Sequence, residues 1–313
     1  MDIADRVLHG DAQAIARAIT LVEQQGVEAR ALIARLHEHT GNAKIVGLTG
    51  APGVGKSTLL SQLVKAWRFE SSKVGVIAVD PTSPFTGGAI LGDRIRLQEH
   101  ASDAGVFVRS MATRGYLGGL APAVQDAVVV FDAAGIDIVA IETVGVGQAE
   151  VDVSRTADAC VVITVPGTGD DVQAIKAGVM ETADIFVVNK SDRDGADRAA
   201  GEIEAMLTLR STDDDTPRPP VIKVSASLGH GIDGLVAGLK ELLARDKFRT
   251  NRARIRAQAR LEAVLRREVS LEIEKIASLD EVVDRIAALE VDPYTAAYDM
   301  LNKVLRGRRG NES

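Results

Sequence analysis

Residues 50–57 read G-A-P-G-V-G-K-S, which fits the phosphate-binding loop pattern G-x-x-x-x-G-K-[ST]. An apolar, strand-like run (45–49) precedes this stretch, and a helical pattern (56–69) follows it. In such a loop, glycines let backbone N–H groups face phosphate oxygens, and the start of the helix favours anions. The sequence therefore predicts a nucleoside triphosphate site made by Gly50, Pro52, Gly53, Val54, Gly55, Lys56, Ser57 and Thr58.

Further strand-like runs follow the loop, and nearly all of their residues are apolar or β-branched. They are 74–80, 106–110, 136–143, 160–166, 185–190 and 221–226. Runs that are apolar throughout are typical of a parallel sheet buried on both faces, and the helical stretches between them indicate an α/β fold. We expect a doubly wound, mostly parallel α/β P-loop domain over residues 43–246, with helical extensions at 1–42 and 247–313.

Both extensions carry helix signals. Asp11 can cap a helix that Gly26 would terminate, and Asp292 can cap a last helix that begins at Pro293. The last helix would present an apolar face made of Tyr294, Tyr298, Leu301 and Leu305. This face could pack on the protein's own core, but paired tyrosines near a chain end favour a homodimer contact.

The composition of the chain argues against several classes of function. The chain has 313 residues, a net charge of −7 and 3% aromatic residues, which argues against broad binding to nucleic acid or to an anionic membrane. The N-terminus does not resemble a signal peptide and no run is long enough to span a bilayer, so we expect a cytoplasmic protein or the product of processing in an organelle. Cys160 is expected to be a buried hydrophobe, and the five histidines to be ordinary surface or capping residues.

Asn189–Asp192 reads N-K-S-D, at the end of the strand-like run 185–190. The Asp192 carboxylate can accept the two donors, N1–H and the 2-amino group, that guanine presents and adenine lacks. Asn189 should bond the base or neighbouring loops, and the Lys190 stem can cover the ring. Ser225 and Ala226 end the last strand-like run and fit a loop whose N–H groups meet the guanine oxygen. GTP and GDP are therefore the expected ligands.

Hard oxygen ligands for Mg²⁺ can be proposed beside the phosphates. Ser57 supplies a hydroxyl, and the predicted carboxylate ligands are Asp80, Asp93 and Glu142. The stretch E-T-V-G (142–145) corresponds to the D-x-x-G pattern of many GTPases, with Glu142 in place of the aspartate. Gly145 then occupies the position whose N–H meets the γ-phosphate. Gln148 is a weaker candidate for orienting the attacking water, since it lies one position beyond the usual place.

Five segments together resemble one family. They are G-A-P-G-V-G-K-S-T (50–58), D-P-T-S-P-F-T-G-G-A-I-L-G-D-R-I-R (80–96), R-S-M-A-T-R-G (109–115), E-T-V-G-V-G-Q-A-E (142–150) and N-K-S-D (189–192). They are similar to the GTPase chaperones of adenosylcobalamin-dependent acyl-CoA mutases, the bacterial MeaB proteins and their mitochondrial counterpart, also called ArgK.

The resemblance implies a homodimer with slow GTP hydrolysis that a mutase accelerates, and nucleotide-gated loading and protection of the mutase's adenosylcobalamin. That cofactor belongs to the partner, and an adenosyltransferase is a further candidate partner. The resemblance also implies a switch at 165–176, where Asp170 and Lys176 report mutase binding; by its residues alone, this stretch is a strand-to-helix loop. The methylmalonyl-, isobutyryl-, ethylmalonyl- and 2-hydroxyisobutyryl-CoA mutases all stay open as partners.

Two other functions share parts of this pattern. A metallochaperone GTPase that inserts nickel would need a cluster of Cys or His ligands, which one cysteine and scattered histidines do not provide. An ATPase or kinase associated with basic amino-acid transport is the older label for such sequences. The N-K-S-D motif argues against adenine, and hence against that reading.

Overall fold

The computed structural model describes residues 2–80, 98–100, 102–112, 122–143, 149–167, 182–210, 218–276 and 278–309. The strands are β1 (Lys44–Thr49), β2 (Val74–Asp80), β3 (Val106–Ala112), β4 (Ile138–Thr143), β5 (Ala159–Thr164), β6 (Ile185–Val188) and β7 (Val221–Lys223). The helices are α1 (Ile3–Leu8), α2 (Ala12–Gln24), α3 (Val27–His37), α4 (Lys56–Phe69), α5 (Pro122–Ala133), α6 (Ala149–Thr156), α7 (Ala196–Arg210), α8 (Ile232–Leu243), α9 (Asp246–Ile276), α10 (Leu279–Ala287) and α11 (Pro293–Arg309), and Gln98–His100 forms a 3₁₀ turn.

The seven strands form one parallel sheet in the order β3-β2-β4-β1-β5-β6-β7. Successive residues of β5 alternate between two cores: Cys160 and Val162 pack on one side, and Val161 and Ile163 on the other. This alternation explains why the strands are apolar throughout, because each residue is buried on whichever face it points to. The predicted α/β fold with a parallel sheet is confirmed.

The two faces are covered by different helices. One core contains residues of α1, α2 and α3 together with α5, α6 and α7. The other contains α4, which follows the phosphate loop, and α8. The N-terminal helices therefore bury their apolar residues in the same core as the sheet.

Several predicted boundaries move by a few residues. The runs predicted to be strand over 185–190 and 221–226 end at Val188 and Lys223. Lys190 adopts a left-handed φ of 57°, which ends an extended chain. The end of α2 also differs: the left-handed residue is Gln25, whereas Gly26 is extended and is the N-cap residue of α3. The predicted helix 56–69 and the Asp292 cap of α11 are confirmed.

One buried carboxylate secures the connection between the N-terminal helices and the sheet. Asp132, on α5, accepts hydrogen bonds from the backbone N–H groups of Gly41 (2.7 Å), Asn42 (3.1 Å) and Ala43 (2.9 Å). Three N–H groups just before β1 are thereby satisfied by one side chain. The start of β1, which leads into the phosphate loop, is held in place by this contact.

Replacing Asp132 by asparagine should lower the free energy of unfolding by about 1–3 kcal/mol, because one acceptor oxygen becomes an NH₂ group facing an N–H. Urea denaturation measures the change. Asp233→Asn is the control, since Asp233 is exposed on α8. Equal stability of the two variants would contradict this role for Asp132.

The first half of α9 is anchored by two ion pairs. Arg252 bonds Asp184, which also accepts the Cys160 N–H at 2.8 Å. Arg256 bonds Asp158, which accepts the Ile45 N–H at 2.9 Å. Both carboxylates therefore link α9 to the entry of a strand.

The structure divides into two compact units, Met1–Ala257 and Gln258–Ser313. In the second unit, α10 packs with α11, and Ser278 caps α10 by accepting the Glu281 N–H. Tyr294 and Tyr298 are 89% and 67% exposed, and several further apolar side chains of this unit are also exposed. Within the described residues, no helix combines the length and the apolar character needed to cross a lipid bilayer.

Candidate functional site: a nucleotide-binding loop and its supports

The phosphate loop joins β1 to α4 at the carboxyl edge of the sheet. Its glycines at 50, 53 and 55 all adopt positive φ, of 147°, 80° and 94°. Two of them are also sterically required. A Cβ on Gly50 would lie 2.2 Å from the Ile163 carbonyl oxygen, and one on Gly55 would lie 2.5 Å from Asn189 Nδ2. The loop thus fits against β5 and Asn189 because these positions carry no side chain.

Lys56 is the first residue of α4, and its ammonium group lies inside the loop. Nζ donates to the carbonyl oxygens of Gly50 at 2.7 Å and Ala51 at 3.0 Å. The side chain is buried. A buried charge acts more strongly on a neighbouring anion than an exposed one, because water screens it less. The arrangement therefore places a positive charge in a loop built to approach anions.

Ser57 and Glu142 meet at the start of α4. Ser57 Oγ donates to Glu142 Oε1 at 2.6 Å, and both side chains are buried. Glu142 lies near the end of β4, which pairs with β1. A hydroxyl and a carboxylate are the hard oxygen ligands that Mg²⁺ prefers, so this donor set fits the predicted metal. Among the described residues, no group of three or more His, Cys, Asp or Glu converges, here or at another place.

Asn189 connects the phosphate loop to the loop after β7. Its Nδ2 donates to the Val54 carbonyl at 2.8 Å, and its Oδ1 accepts the Ala226 N–H at 3.1 Å. Only 2% of the residue is exposed. Asn189 thus makes the expected kind of contact with neighbouring loops, and its contact with the base stays a prediction. Lys190 adds a parallel link, since its Nζ donates to the Gly53 carbonyl at 2.8 Å.

Asp192 lies exposed beyond Asn189 and Lys190, beside the loop after β7. The Ser225 hydroxyl donates to Asp192 Oδ1. This hydrogen bond is the main cause that lowers the pKa of Asp192, so the carboxylate is ionised at neutral pH. An ionised carboxylate accepts hydrogen bonds at both oxygens, as recognition of two guanine donors requires.

Several predicted residues lie outside the described part of the chain. They are Asp93, Gly145, Gln148, Asp170 and Lys176. The backbone of Asp80 ends β2, but its side chain is also outside the description. Their roles stay predictions. Among the described residues, the structure brings the phosphate loop together with Glu142, Asn189 and Lys190. It also joins Asn189 to Ala226 and Asp192 to Ser225.

Sequence reasoning missed one buried polar cluster. His100 was expected at the surface or at a cap, but it is 7% exposed, and its Nε2 lies 3.0 Å from Ser61 Oγ. Ser61 follows Ser57 by one helical turn of α4. A serine four residues after the loop serine is a signal that could have drawn attention to this contact. Cys160, in contrast, is buried as expected, and burial raises the pKa of its thiol to about 12.

Comparisons with known proteins agree with this geometry. Residues 15–290 match the profile of the family described as methylmalonyl Co-A mutase-associated GTPase MeaB. A protein from Pyrococcus abyssi is 48% identical over 98% of this chain and 97% of its own length. The GTPase ArgK of Escherichia coli is 36% identical over 91% of this chain and 85% of its own length.

A solved structure matches over nearly the whole chain. It is the crystal structure of a LAO/AO transport system kinase, with a TM-score of 0.69 and 27% identity over 97% of this chain and 96% of that protein. Fold, loop geometry and sequence relatives lead to one assignment. The chain belongs to the MeaB family of methylmalonyl-CoA mutase-associated GTPases and is a P-loop enzyme that hydrolyses GTP.

Proposed function

We propose that this GTPase is a chaperone of a cobalamin-dependent acyl-CoA mutase, with methylmalonyl-CoA mutase or a close relative as partner. The observation that carries the proposal is the match of residues 15–290 to a family described by its association with that mutase. In this proposal, nucleotide state gates the loading of adenosylcobalamin and protects the mutase from inactivation. The cofactor itself belongs to the mutase.

The nucleotide site that would drive this gating is assigned residue by residue. Lys56 binds the β- and γ-phosphates, and the loop glycines supply backbone donors. Ser57 and Glu142 hold Mg²⁺ together with Asp80 and Asp93. Held by these residues, Mg²⁺ would supply positive charge that neutralises the phosphates. Asp192 binds the guanine edge, while Asn189 keeps the phosphate loop and the Ala226 loop in one rigid unit.

The test of the proposal compares GTP hydrolysis by the full-length protein with and without purified methylmalonyl-CoA mutase. Coupling between sites is typically worth about 1–3 kcal/mol, so the mutase should accelerate turnover at least several-fold. In parallel, the absorbance of adenosylcobalamin reports how much of the cofactor is transferred to the mutase. This amount is compared between samples with GTP, samples with GDP and samples without nucleotide. Transfer that is indifferent to nucleotide, with unchanged hydrolysis, would refute the chaperone role for this partner; the other acyl-CoA mutases can be tested in the same way.

Lys176 is proposed to relay mutase binding to the nucleotide. Lys176→Ala should therefore lower the ratio of mutase-stimulated to unstimulated hydrolysis several-fold, in line with a coupling energy of about 1–3 kcal/mol. Single-turnover kinetics with saturating mutase measures this ratio. Lys247→Ala serves as a control, since Lys247 is exposed near the start of α9. Full stimulation of the Lys176 variant would contradict the relay.

The exposed apolar face of α11 is proposed to form a homodimer contact. Tyr298→Glu would place a charge in such an interface and should raise the dimer dissociation constant about 10-fold or more. Sedimentation velocity detects the shift. Lys303→Glu is the matched control, because Lys303 is exposed on the same helix. A monomeric unmutated protein at micromolar concentration would contradict the dimer.

A further inference from the structure

One face of α4 holds the segment that runs from the 3₁₀ turn into β3. Ser61, Lys65 and Arg68 lie four and three residues apart, so they share this face. Lys65 Nζ lies 3.0 Å from Glu99 Oε2, and Arg68 bonds Asp103 through two nitrogens at 2.8 and 2.9 Å. The helix that begins with the phosphate-loop lysine is thereby fastened to the chain at 99–103.

Of the contacts on this face, the one nearest the phosphate loop joins Ser61 to Glu99 and His100. Its hydrogen-bond donors and acceptors can be assigned. Ser61 Oγ bonds Glu99 Oε1 and lies 3.0 Å from His100 Nε2. A hydroxyl has one proton, which goes to the carboxylate because a carboxylate can only accept. Ser61 Oγ must then accept from His100, so the imidazole carries its proton on Nε2. Burial lowers the pKa of His100, in agreement with a neutral ring.

Glu99 is ionised in this arrangement. Its pKa is lowered, first by the Ser61 hydroxyl and then by Lys65. The Glu99 carboxylate therefore binds the Ser61 hydroxyl of α4 through a charge-assisted hydrogen bond, which is stronger than a neutral one. His100 is buried behind it and fixes the orientation of the serine hydroxyl.

The same pairing recurs one turn earlier. Ser57 Oγ donates to Glu142 and Ser61 Oγ donates to Glu99, each a hydroxyl held by a carboxylate from another part of the fold. Residues four apart on a helix are separated by about 6 Å along its axis. The first two turns of α4 are thus oriented by two carboxylates. They are Glu142, near the end of β4, and Glu99, in the 3₁₀ turn. The chain reaches Glu99 from residues 81–97, which include the predicted ligand Asp93 six positions earlier.

We propose, building on the magnesium site of the proposed function, that Ser61, Glu99 and His100 are positioning residues for Mg²⁺ at Ser57. They hold the first turns of α4 so that the Ser57 hydroxyl keeps the orientation a metal ligand needs. Groups that hydrogen-bond a metal ligand typically contribute 10–100-fold to metal affinity, and these three residues act on Ser57 through the backbone of α4, so we expect the lower end of that range. None of the three is assigned to the nucleotide or to the metal.

The experiment measures release of fluorescent mant-GDP from the full-length protein as a function of Mg²⁺ concentration. Ser61→Ala and His100→Leu remove the hydrogen bond with little change of volume, and should raise the half-saturating Mg²⁺ concentration about 10-fold. His100→Gln should retain the unmutated value, since its amide can still donate to Ser61. Arg68→Met removes the ion pair with Asp103, which lies farther from the phosphate loop on the same face of α4. This variant should have a lower melting temperature and an unchanged Mg²⁺ requirement.

A second measurement separates positioning from general damage. In EDTA, the affinity for mant-GDP should be the same in all four variants, because the metal-free contacts are untouched. An unchanged Mg²⁺ requirement in Ser61→Ala and His100→Leu would overturn the inference, and so would an equal loss of affinity in EDTA. If release from the unmutated protein does not respond to Mg²⁺, the magnesium site of the proposed function fails and the inference fails with it.

Discussion

Alanine at position 56 should lower kcat/KM for GTP by about 10²–10³-fold, which would make it the most damaging single change in the site. The Lys56 ammonium is buried and held by the Gly50 and Ala51 carbonyls, so its charge acts on phosphate oxygens with little screening by water. Removing it takes away charge that is needed most when the γ-phosphate departs. Steady-state hydrolysis and calorimetric GTP binding measure the two parts of the loss.

Two further data points make this result specific. Lys240→Ala is the matched control, because Lys240 makes an exposed ion pair with Glu70, and such pairs contribute little. The Lys56 variant should keep its circular dichroism spectrum, since the lost hydrogen bonds lie in a loop and not in a hydrophobic core. Unaltered hydrolysis by Lys56→Ala would refute the phosphate-loop assignment.

Asparagine at position 192 should invert the choice of base. The Asp192 carboxylate is ionised and exposed, and hydrogen bonds to charged groups are stronger than neutral ones, so GTP affinity should fall by roughly 10–100-fold. Xanthine carries a carbonyl where guanine has its 2-amino group, and the new amide can donate to it. Xanthosine triphosphate should therefore bind better to the variant than to the unmutated protein. Competition against mant-GDP measures both affinities.

The fold should survive this exchange, because the Ser225 hydroxyl can donate to an asparagine oxygen as it does to Asp192. Asp194→Asn is the control; Asp194 is exposed two positions further along the chain. Equal binding of ATP and GTP by the unmutated protein would contradict the guanine assignment, as would an Asp192→Asn variant with undiminished preference for GTP.

Guanine binding by Asp192 should also depend on pH. Its pKa is lowered in the folded protein, so the ionised form persists below the pH at which an ordinary aspartate becomes protonated. Guanine binding that depends on this carboxylate should therefore be retained at mildly acidic pH and be lost only as the pH falls through the lowered pKa.

Local patterns in the sequence determined much of this molecule. The positions of most strands along the chain, the helix 56–69 and the Asp292 cap could be predicted because each depends on residues a few positions apart. The phosphate loop could be predicted for the same reason. Its function follows from glycine, lysine and serine at fixed spacing, with strand before and helix after.

Only the tertiary structure decided how the loop is supported. Asn189 bonds Val54, which lies 135 positions earlier, and Gly50 fits against the Ile163 carbonyl of a neighbouring strand. The burial of His100 against Ser61 likewise depends on where the chain returns after residue 97. Hydrophobic spacing predicts which face of an element is buried, but not which polar side chain from a distant segment will meet it there. Those partners are set by the packing of the whole sheet and its helices.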